Sequence, residues 1–475
     1  MRKIILPLAT AALALAGCSM APKYERPAES LPASMGEGAP HSAVQDSTLD
    51  QWWLRFGDAK LNELVERALA QNTDLMQAAS RIGQARAALG MNRADKWPAL
   101  GGNAQAARSE TPAYKLSPGQ PDISNSFQVN GLLSYEVDLF GRVASSNRAA
   151  EQDLLSSQYA LQSMRSFVAA ETATTYFNLV AAREQLRLTL GSVDTRKNTL
   201  RIQQKRFDAG YGTDAERQQA QADLSSAEVT LPDVQQRIES LQSALRILVG
   251  SDSEQIWNAV PVEGVPEALP MPPTVAWDYA PASLLERRPD ILAAEASLKA
   301  AGERIGVAKA QRWPTLSLGA ILGTADGDLD GLFSAGSRTW TLSGTLTGPI
   351  YDFGKSKNRV ESAKAQAEMA EWNYRAVVRG AFKELRDAAT ASDLSRQSVE
   401  AREKQVTAWN RYLEIATSRY ETGYADPLEI LDAERGQFAA ELSLVNARLN
   451  RLVAAVNLCR ALGGGWDAKT DISGQ

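Results

Sequence analysis

The chain offers little material for catalysis. Its 475 residues include one histidine, His41, and two cysteines, Cys18 and Cys459. A single histidine, set in a Pro/Gly/Ser-rich stretch, removes most histidine-based acid–base, triad and zinc chemistry. Cys459 closes the apolar run Ala454-Ala455-Val456-Asn457-Leu458-Cys459, where a thiol acts as a small buried hydrophobe. Carboxylates remain. Glu429 and Asp432 are three apart and share a helix face, and paired carboxylates serve many hydrolases. Here no nucleophile or base completes the set, and no glycine-rich phosphate loop or zinc-type spacing occurs. The expectation is no enzyme activity, no cofactor and no metal. A net charge of −5 and a pI near 5.4 argue against nucleic acid as a partner.

Cys18 has a different prospect. Arg2 and Lys3 precede the apolar run Ile4 to Ala16, the order of an export signal, and the run is too short to span a bilayer. It ends Leu15-Ala16-Gly17-Cys18, which matches the bacterial lipobox, so residues 1–17 read as a lipoprotein signal peptide and Cys18 as the lipid-bearing first residue. Ser19 follows, and the resemblance to sorted lipoproteins implies the outer membrane. Residues 18–58 read as a lipidated tether, extended over 19–50, that holds the protein to the bilayer without crossing it.

The elements that follow come twice. Lys96-Trp97-Pro98-Ala99-Leu100 recurs as Arg312-Trp313-Pro314-Thr315-Leu316, an offset of 216. Phe140-Gly141-Arg142 recurs as Phe353-Gly354-Lys355, and Arg206-Phe207-Asp208-Ala209-Gly210-Tyr211 as Arg419-Tyr420-Glu421-Thr422-Gly423-Tyr424, both offset by 213. The repeats are assigned to 59–250 and 282–463, with an extended proline-rich connector at 251–281 and a tail at 464–475. Between the Phe-Gly and Gly-Tyr landmarks the spacing is identical, a constraint of rigid helices.

Each repeat holds one long proline-free stretch, about Val143 to Arg206 and Ser356 to Thr422. As a helix each would be roughly 100 Å long. Val360, Ala363, Ala367, Ala370, Tyr374, Val377 and Ala381 form a heptad seam. Helices of about half that length are expected at 59–95, 213–249, 282–311 and 427–462. Other segments alternate with period two: Phe127–Leu139 and Arg338–Thr347 clearly, Thr315–Thr324 and Leu100–Glu110 more weakly. Strands with one greasy and one hydroxyl-rich face suit a barrel between lipid and water, or a hairpin packed on its own core. Four strands cannot close a barrel, and in lipid an open edge leaves backbone groups unsatisfied. Membrane-spanning hairpins therefore require an oligomer. Two copies give eight strands and three give twelve.

Several motifs in order carry a resemblance over essentially the whole mature chain. They are the lipobox with Cys18, Trp52-Trp53 before Phe56-Gly57-Asp58, and Tyr135-Glu136-Val137-Asp138-Leu139-Phe140-Gly141-Arg142. Glu286-Arg287-Arg288-Pro289-Asp290-Ile291, Leu431-Asp432-Ala433-Glu434-Arg435 and Leu462-Gly463-Gly464-Gly465-Trp466 complete the set. The chain resembles the TolC-like outer membrane factors, in the OprM/NodT-like lipoprotein branch serving resistance–nodulation–division efflux pumps. The resemblance implies a homotrimer with a twelve-stranded outer-membrane barrel, four strands per protomer, continued by a long periplasmic helical barrel. It also implies docking to a periplasmic adaptor and an inner-membrane transporter. A duct for protein secretion and a non-channel coiled-coil lipoprotein are the competing readings.

The Gly-Tyr landmarks fall where a long helix turns into a short one. Gly210 and Gly423 suit the left-handed residue ending a helix. Thr213-Asp214-Ala215-Glu216 reads as a capping box, and Asp426-Pro427-Leu428-Glu429 as a variant with proline at the first helical position. The hairpin tips, Gly210, Tyr211, Gly212 and Thr213 with Gly423, Tyr424, Ala425 and Asp426, are the adaptor-docking residues that the resemblance implies. It also implies a periplasmic gate at Tyr420, Glu429 and Asp432, with Glu216 a further candidate. Three protomers would gather six carboxylates into a negative constriction. Ala425 stands where relatives carry a basic residue, so one latch is expected to be missing.

Overall fold

The computed structural model describes residues 20–31, 49–112, 114, 122–273, 281–422, 424 and 426–466. The leader, Cys18, His41, Gly423, Ala425 and the last residues of the tail lie outside them.

A 3-10 turn at Trp52–Phe56 leads into α1 (Ala59–Gln71), α2 (Thr73–Ala94), β1 (Ala99–Glu110), β2 (Ile123–Val137), α3 (Arg142–Asp208) and α4 (Asp214–Leu248). After α5 (Ser253–Trp257) the order repeats as α6 (Pro281–Arg287), α7 (Pro289–Ala310), β3 (Thr315–Asp326), β4 (Arg338–Thr347), α8 (Lys355–Glu421) and α9 (Pro427–Ala461). Both long helices, α3 and α8, have 67 residues.

Four expectations need correction. The first half-length helix breaks at Asn72, whose side-chain oxygen caps α2 by accepting from the Asp74 and Leu75 amides at 3.0 and 3.3 Å. Its amide nitrogen donates to the Leu248 carbonyl at 3.0 Å, so the break is held from outside. The third breaks at Arg288, because Pro289 disfavours helical backbone at the residue before it. The connector is not extended throughout: α5 forms ahead of its first proline, Pro261, capped by Asp252. The seam on α8 also drifts, since Val378 is buried and Val377 only half-buried. A straight helix of 3.6 residues per turn slips past a strict seven-residue repeat in this way.

The chain divides into two compact units. One contains the sheet and is built from residues 20–28, 81–157 and 293–375. Its strands form one antiparallel sheet in the order β1-β2-β3-β4, closed on neither side. Each strand-to-helix turn is clamped by an aspartate. Asp138 accepts from the Val143 and Ala144 amides at 3.1 and 2.7 Å, and Asp352 from the Gly354 and Ser356 amides at 3.1 and 2.8 Å. Arg142 closes on Glu136 with two bonds of 2.8 and 2.7 Å. The helical segments align as α2, α3, α7, α8. Asn147 donates to the Asn92 carbonyl at 2.8 Å, Ser156 and Ser297 meet at 2.9 Å, and Ile305 and Ala308 pack on Val360 and Ala363.

The tether read from sequence is partly a strap on this unit. Tyr24 and Arg26 donate to the buried Glu295 carboxylate at 3.0 and 2.8 Å, Lys299 lies over the Tyr24 ring, and Arg375 donates to the Ala28 carbonyl at 3.0 Å. Burial disfavours the Glu295 charge, but the bonds from Lys299 and Arg26 outweigh it and hold its pKa below the usual carboxylate value.

The second unit, the described residues within 29–80, 158–292 and 376–475, is helical. Its core gathers motifs far apart in sequence. Trp52 meets Trp53 and Phe56 edge-on, and Phe56 lies 5.2 Å from Phe177. Asp58 caps α1 with one oxygen and accepts from the Tyr176 hydroxyl with the other at 2.6 Å. Trp466 donates its indole N–H to the Arg287 carbonyl at 3.0 Å. Cys459 is buried and not disulfide-bonded.

Arg288 explains its motif. Its side chain, 8% exposed, donates to Asp290, Glu384 and the Ala461 carbonyl, tying α7, α8 and α9 together. Replacing Arg288 with Met keeps the stem but leaves these acceptors without their donor. The expected cost is about 2–4 kcal/mol, read as a lower melting temperature by circular dichroism in detergent.

Candidate functional site: a duct wall and a helical tip

The sheet has the chemistry of a wall between lipid and water. Directly paired residues share a face. Trp340, Leu342 and Leu346 of β4 stand opposite Leu322, Ala320 and Leu316 of β3. Those continue to Gly131, Leu133 and Val137 of β2, and Val129 and Phe127 reach Ala104 and Ala106 of β1. The reverse face carries Thr341, Ser343 and Thr345, then Ser317, then Ser134 and Glu136, interrupted by Ile321 and Leu132. Apolar side chains here are bare, Trp340 at 73% and Leu342 at 74% exposure, so the greasy face covers no core of its own. No described helix is long and apolar enough to cross a membrane. Trp97 and Trp313, with Phe140 stacked on Trp313 at 5.3 Å, mark the end of the sheet where helices begin. An aromatic girdle at that level anchors a barrel at a bilayer interface.

The tip is formed where α3 turns into α4 and α8 approaches α9. Gly210 adopts φ +76°, the left-handed ending expected of it. The capping box is complete: Thr213 accepts from the Glu216 amide at 3.2 Å, and Glu216 accepts from the Thr213 amide at 2.7 Å. Glu216 is thereby committed to the cap. Its counterpart behaves otherwise. Asp426 caps α9 through the Leu428 amide at 2.9 Å with Pro427 at the start, but Glu429 does not reach back. It pairs with Arg419 at 3.5 Å, so the expected second capping box is only half formed. Tyr420 accepts from Arg206 at 2.7 Å. Asp432 is exposed, with no hydrogen bond or ion pair among the described residues. Tyr211 and Tyr424 are exposed at the tips.

Arg206 and Arg419 were missed as tip residues, although the repeated Arg-aromatic pair was the available signal. Also missed was a charged layer between the long helix and α9. Asp223, buried on α4, accepts from Arg435 at 2.9 Å, while Arg196 donates to the Asp223 carbonyl at 2.8 Å and lies over the Phe438 ring. Beside them is a cavity of about 280 Å³ lined by Arg187, Arg196, Gly191, Phe438, Glu434 and Glu441. Burial pushes the Glu434 and Glu441 carboxyls up, against the pull of Thr199 and Arg196 on the first and of Arg187 on the second. One Glu434 oxygen is buried without a hydrogen bond.

The family described as "Outer membrane efflux protein" matches residues 64–251 and 280–464. The chain belongs to the outer membrane efflux protein family. Among relatives, the outer membrane protein OprJ of Pseudomonas aeruginosa is 36% identical over 461 residues, covering 96% of this chain and 95% of that one. Among solved structures, the CmeC outer membrane channel of Campylobacter jejuni superposes with a TM-score of 0.87 at 28% identity, covering 96% and 97% of the two chains. The open state of the Neisseria gonorrhoeae MtrE channel gives 0.81 at 30% identity, covering 94% and 99%. As an outer membrane efflux protein, the chain is a homotrimeric outer-membrane channel and supplies four of twelve barrel strands. It acts in a tripartite pump with a periplasmic adaptor and an inner-membrane resistance–nodulation–division transporter.

Glu434 supports a pH prediction. Its folded pKa lies above its ordinary value of 4.5, so the folded chain holds this proton more tightly than the unfolded one. Ionisation then lowers stability as pH rises from the unfolded toward the folded pKa; below the unfolded pKa that penalty is absent. Glu434→Gln is expected to raise the apparent melting temperature by about 1 °C at pH 7.5 and to leave it unchanged at pH 4, by calorimetry in detergent.

Proposed function

We propose that this efflux protein is a passive, non-enzymatic exit duct for small toxic compounds. Its periplasmic end is narrowed by Asp432 and by two intramolecular latches, Arg206–Tyr420 and Arg419–Glu429. The observation that carries the reading is the bonding at the tip. Of the acidic candidates, Glu216 serves the helix cap, Glu429 is held by Arg419, and Asp432 keeps an exposed carboxylate that has no partner among the described residues. Three such carboxylates in a ring favour cations and repel one another as the ring narrows. Hydrogen bonding of Arg206 to Tyr420 across the two long helices supports a closed arrangement that opens when the bond is lost. The exposed Tyr211 and Tyr424, with Gly210, Gly212, Thr213, Gly423, Ala425 and Asp426, form the surface offered to the adaptor. Cys18 carries the lipid and anchors residues 18–58 to the outer membrane, so the transporter chooses the cargo and this chain conducts it.

Single-channel recording in planar bilayers tests the gate. Asp432→Ala is expected to raise conductance and lower cation preference, with Glu429→Ala having the smaller effect because Arg419 already offsets its charge. Tyr420→Phe should raise conductance without changing selectivity. Unchanged conductance and selectivity in all three variants would sink the assignment.

A further inference from the structure

The cavity beside the charged layer of the second unit has a lining that packing does not explain. Its walls come from α3 and α9 alone, and Gly191 is one of the residues that line it. This is the one glycine among the 67 residues of α3. Glycine weakens a helix interior, so its presence calls for a reason, and crowding is not that reason. A Cβ added at Gly191 meets no atom within 4 Å. Gly436 on α9 gives the contrast, since a Cβ there would run into the Trp409 ring. In the second repeat the place of Gly191 is taken by Lys404, at the offset of 213. Gly191 thus keeps open a space that an ordinary side chain would narrow.

The charges around that space balance in number but not in pairing. Arg196 is already engaged, donating to the Asp223 carbonyl at 2.8 Å and lying over the Phe438 ring. Arg187 is exposed and makes no hydrogen bond or ion pair among the described residues, although Glu441 lies close enough to feel its charge. One Glu434 oxygen accepts a long bond from Thr199, 3.4 Å, and the other is buried with no hydrogen bond. Both glutamates sit above their ordinary pKa because burial outweighs the donors nearby. That is the response of carboxylates lacking a cation in contact. Phe438 lies between Glu434 and Glu441 on the same face of α9.

The geometry points to a binding site for a small zwitterion with an extended stem. Its ammonium group donates to the free Glu434 oxygen, its carboxylate accepts from Arg187, and the stem lies along Phe438 and Gly191. Charge selects this class. Two arginines and two glutamates leave the lining neutral, so a lone cation leaves Arg187 unmatched and a lone anion leaves Glu434 unmatched. Length selects the kind of zwitterion. Glu434 and Glu441 are separated by ~10 Å along α9, and Arg187 lies by the second, so the two charges are held well apart. An ω-amino acid spans them and an α-amino acid does not. The volume agrees: about 280 Å³ is close to twice the ~150 Å³ that holds benzene, room for roughly ten non-hydrogen atoms. A ligand held this way ties α3 to α9, the helix whose first turns carry Glu429 and Asp432.

Isothermal titration calorimetry of the detergent-solubilised homotrimer at pH 7.5 tests the site. The probe is ε-aminocaproate, compared with n-hexylamine and caproate, each of which keeps one of its two charges. The zwitterion is expected to bind roughly tenfold more tightly than either, the loss expected on removing one charge-assisted bond. Arg187→Gln and Glu434→Gln are each expected to weaken it by a similar factor, and Gly191→Leu to abolish binding by filling the space. The three probes are compared on the unaltered chain, so their ranking decides the matter even where a variant fails to fold. No binding of ε-aminocaproate at millimolar concentration, or equal binding of n-hexylamine or caproate, would overturn the site. So would full affinity in folded Arg187→Gln and Glu434→Gln trimers.

Discussion

The constraint behind the architecture is that a peptide N–H or C=O facing hydrocarbon has no water to bond. Each unsatisfied group costs several kcal/mol, and this chain carries two strands with an unpaired edge. A face of Trp340, Leu342 and Leu346 that covers no core makes sense only in lipid, and lipid forbids the open edges. Both problems have one solution, a ring of copies. The hairpin registers and the identical lengths of α3 and α8 express the same repeat.

Most of the recurring sequence motifs turn out to hold the fold together. Asp138, Glu136 and Arg142 fix the turn from strand into long helix, and Asp352 does the same in the second repeat. Asp58 joins a helix start to Tyr176, and Arg287 and Arg288 join the second repeat to residues as distant as Asp50 and Ala461. A wall built of long helices has little core per residue, so buried polar bonds between distant segments specify which helix lies beside which. At the tip the motif Leu431-Asp432-Ala433-Glu434-Arg435 divides its work. Leu431 and Ala433 are buried, the exposed Arg435 grips Asp223, and Asp432 faces water.

Strands and long helices were legible because period-two alternation and proline-free runs report directly on faces that meet one medium each. Breaks were less so. Asn72 looks like an ordinary polar helix residue until the Leu248 carbonyl fixes its side chain, and α5 was hidden by prolines that begin only after it ends. Glu216 and Glu429 occupy equivalent positions and could not be told apart by pattern. Arg419, reaching from the neighbouring long helix, draws Glu429 away from the cap. The strap from Tyr24 to Ala28 read as tether because its partners Glu295 and Arg375 lie hundreds of residues away. Contacts of that range leave no local periodicity.

The hairpin registers also set how far the strands lean. Stepping straight across from Ala99 to Ser134 and on to Gly319 arrives at the counterpart of Asn103, a slip of four residues across these two steps. That is ~13 Å along the strand for ~10 Å of lateral travel, so the staves incline by roughly 55° to the axis. Upright, twelve strands would enclose a cylinder only ~18 Å across; inclined this steeply, the same dozen enclose ~30 Å. The bore of the duct is thus written in a stagger of four residues, and shortening that stagger would narrow the outlet without removing a single strand.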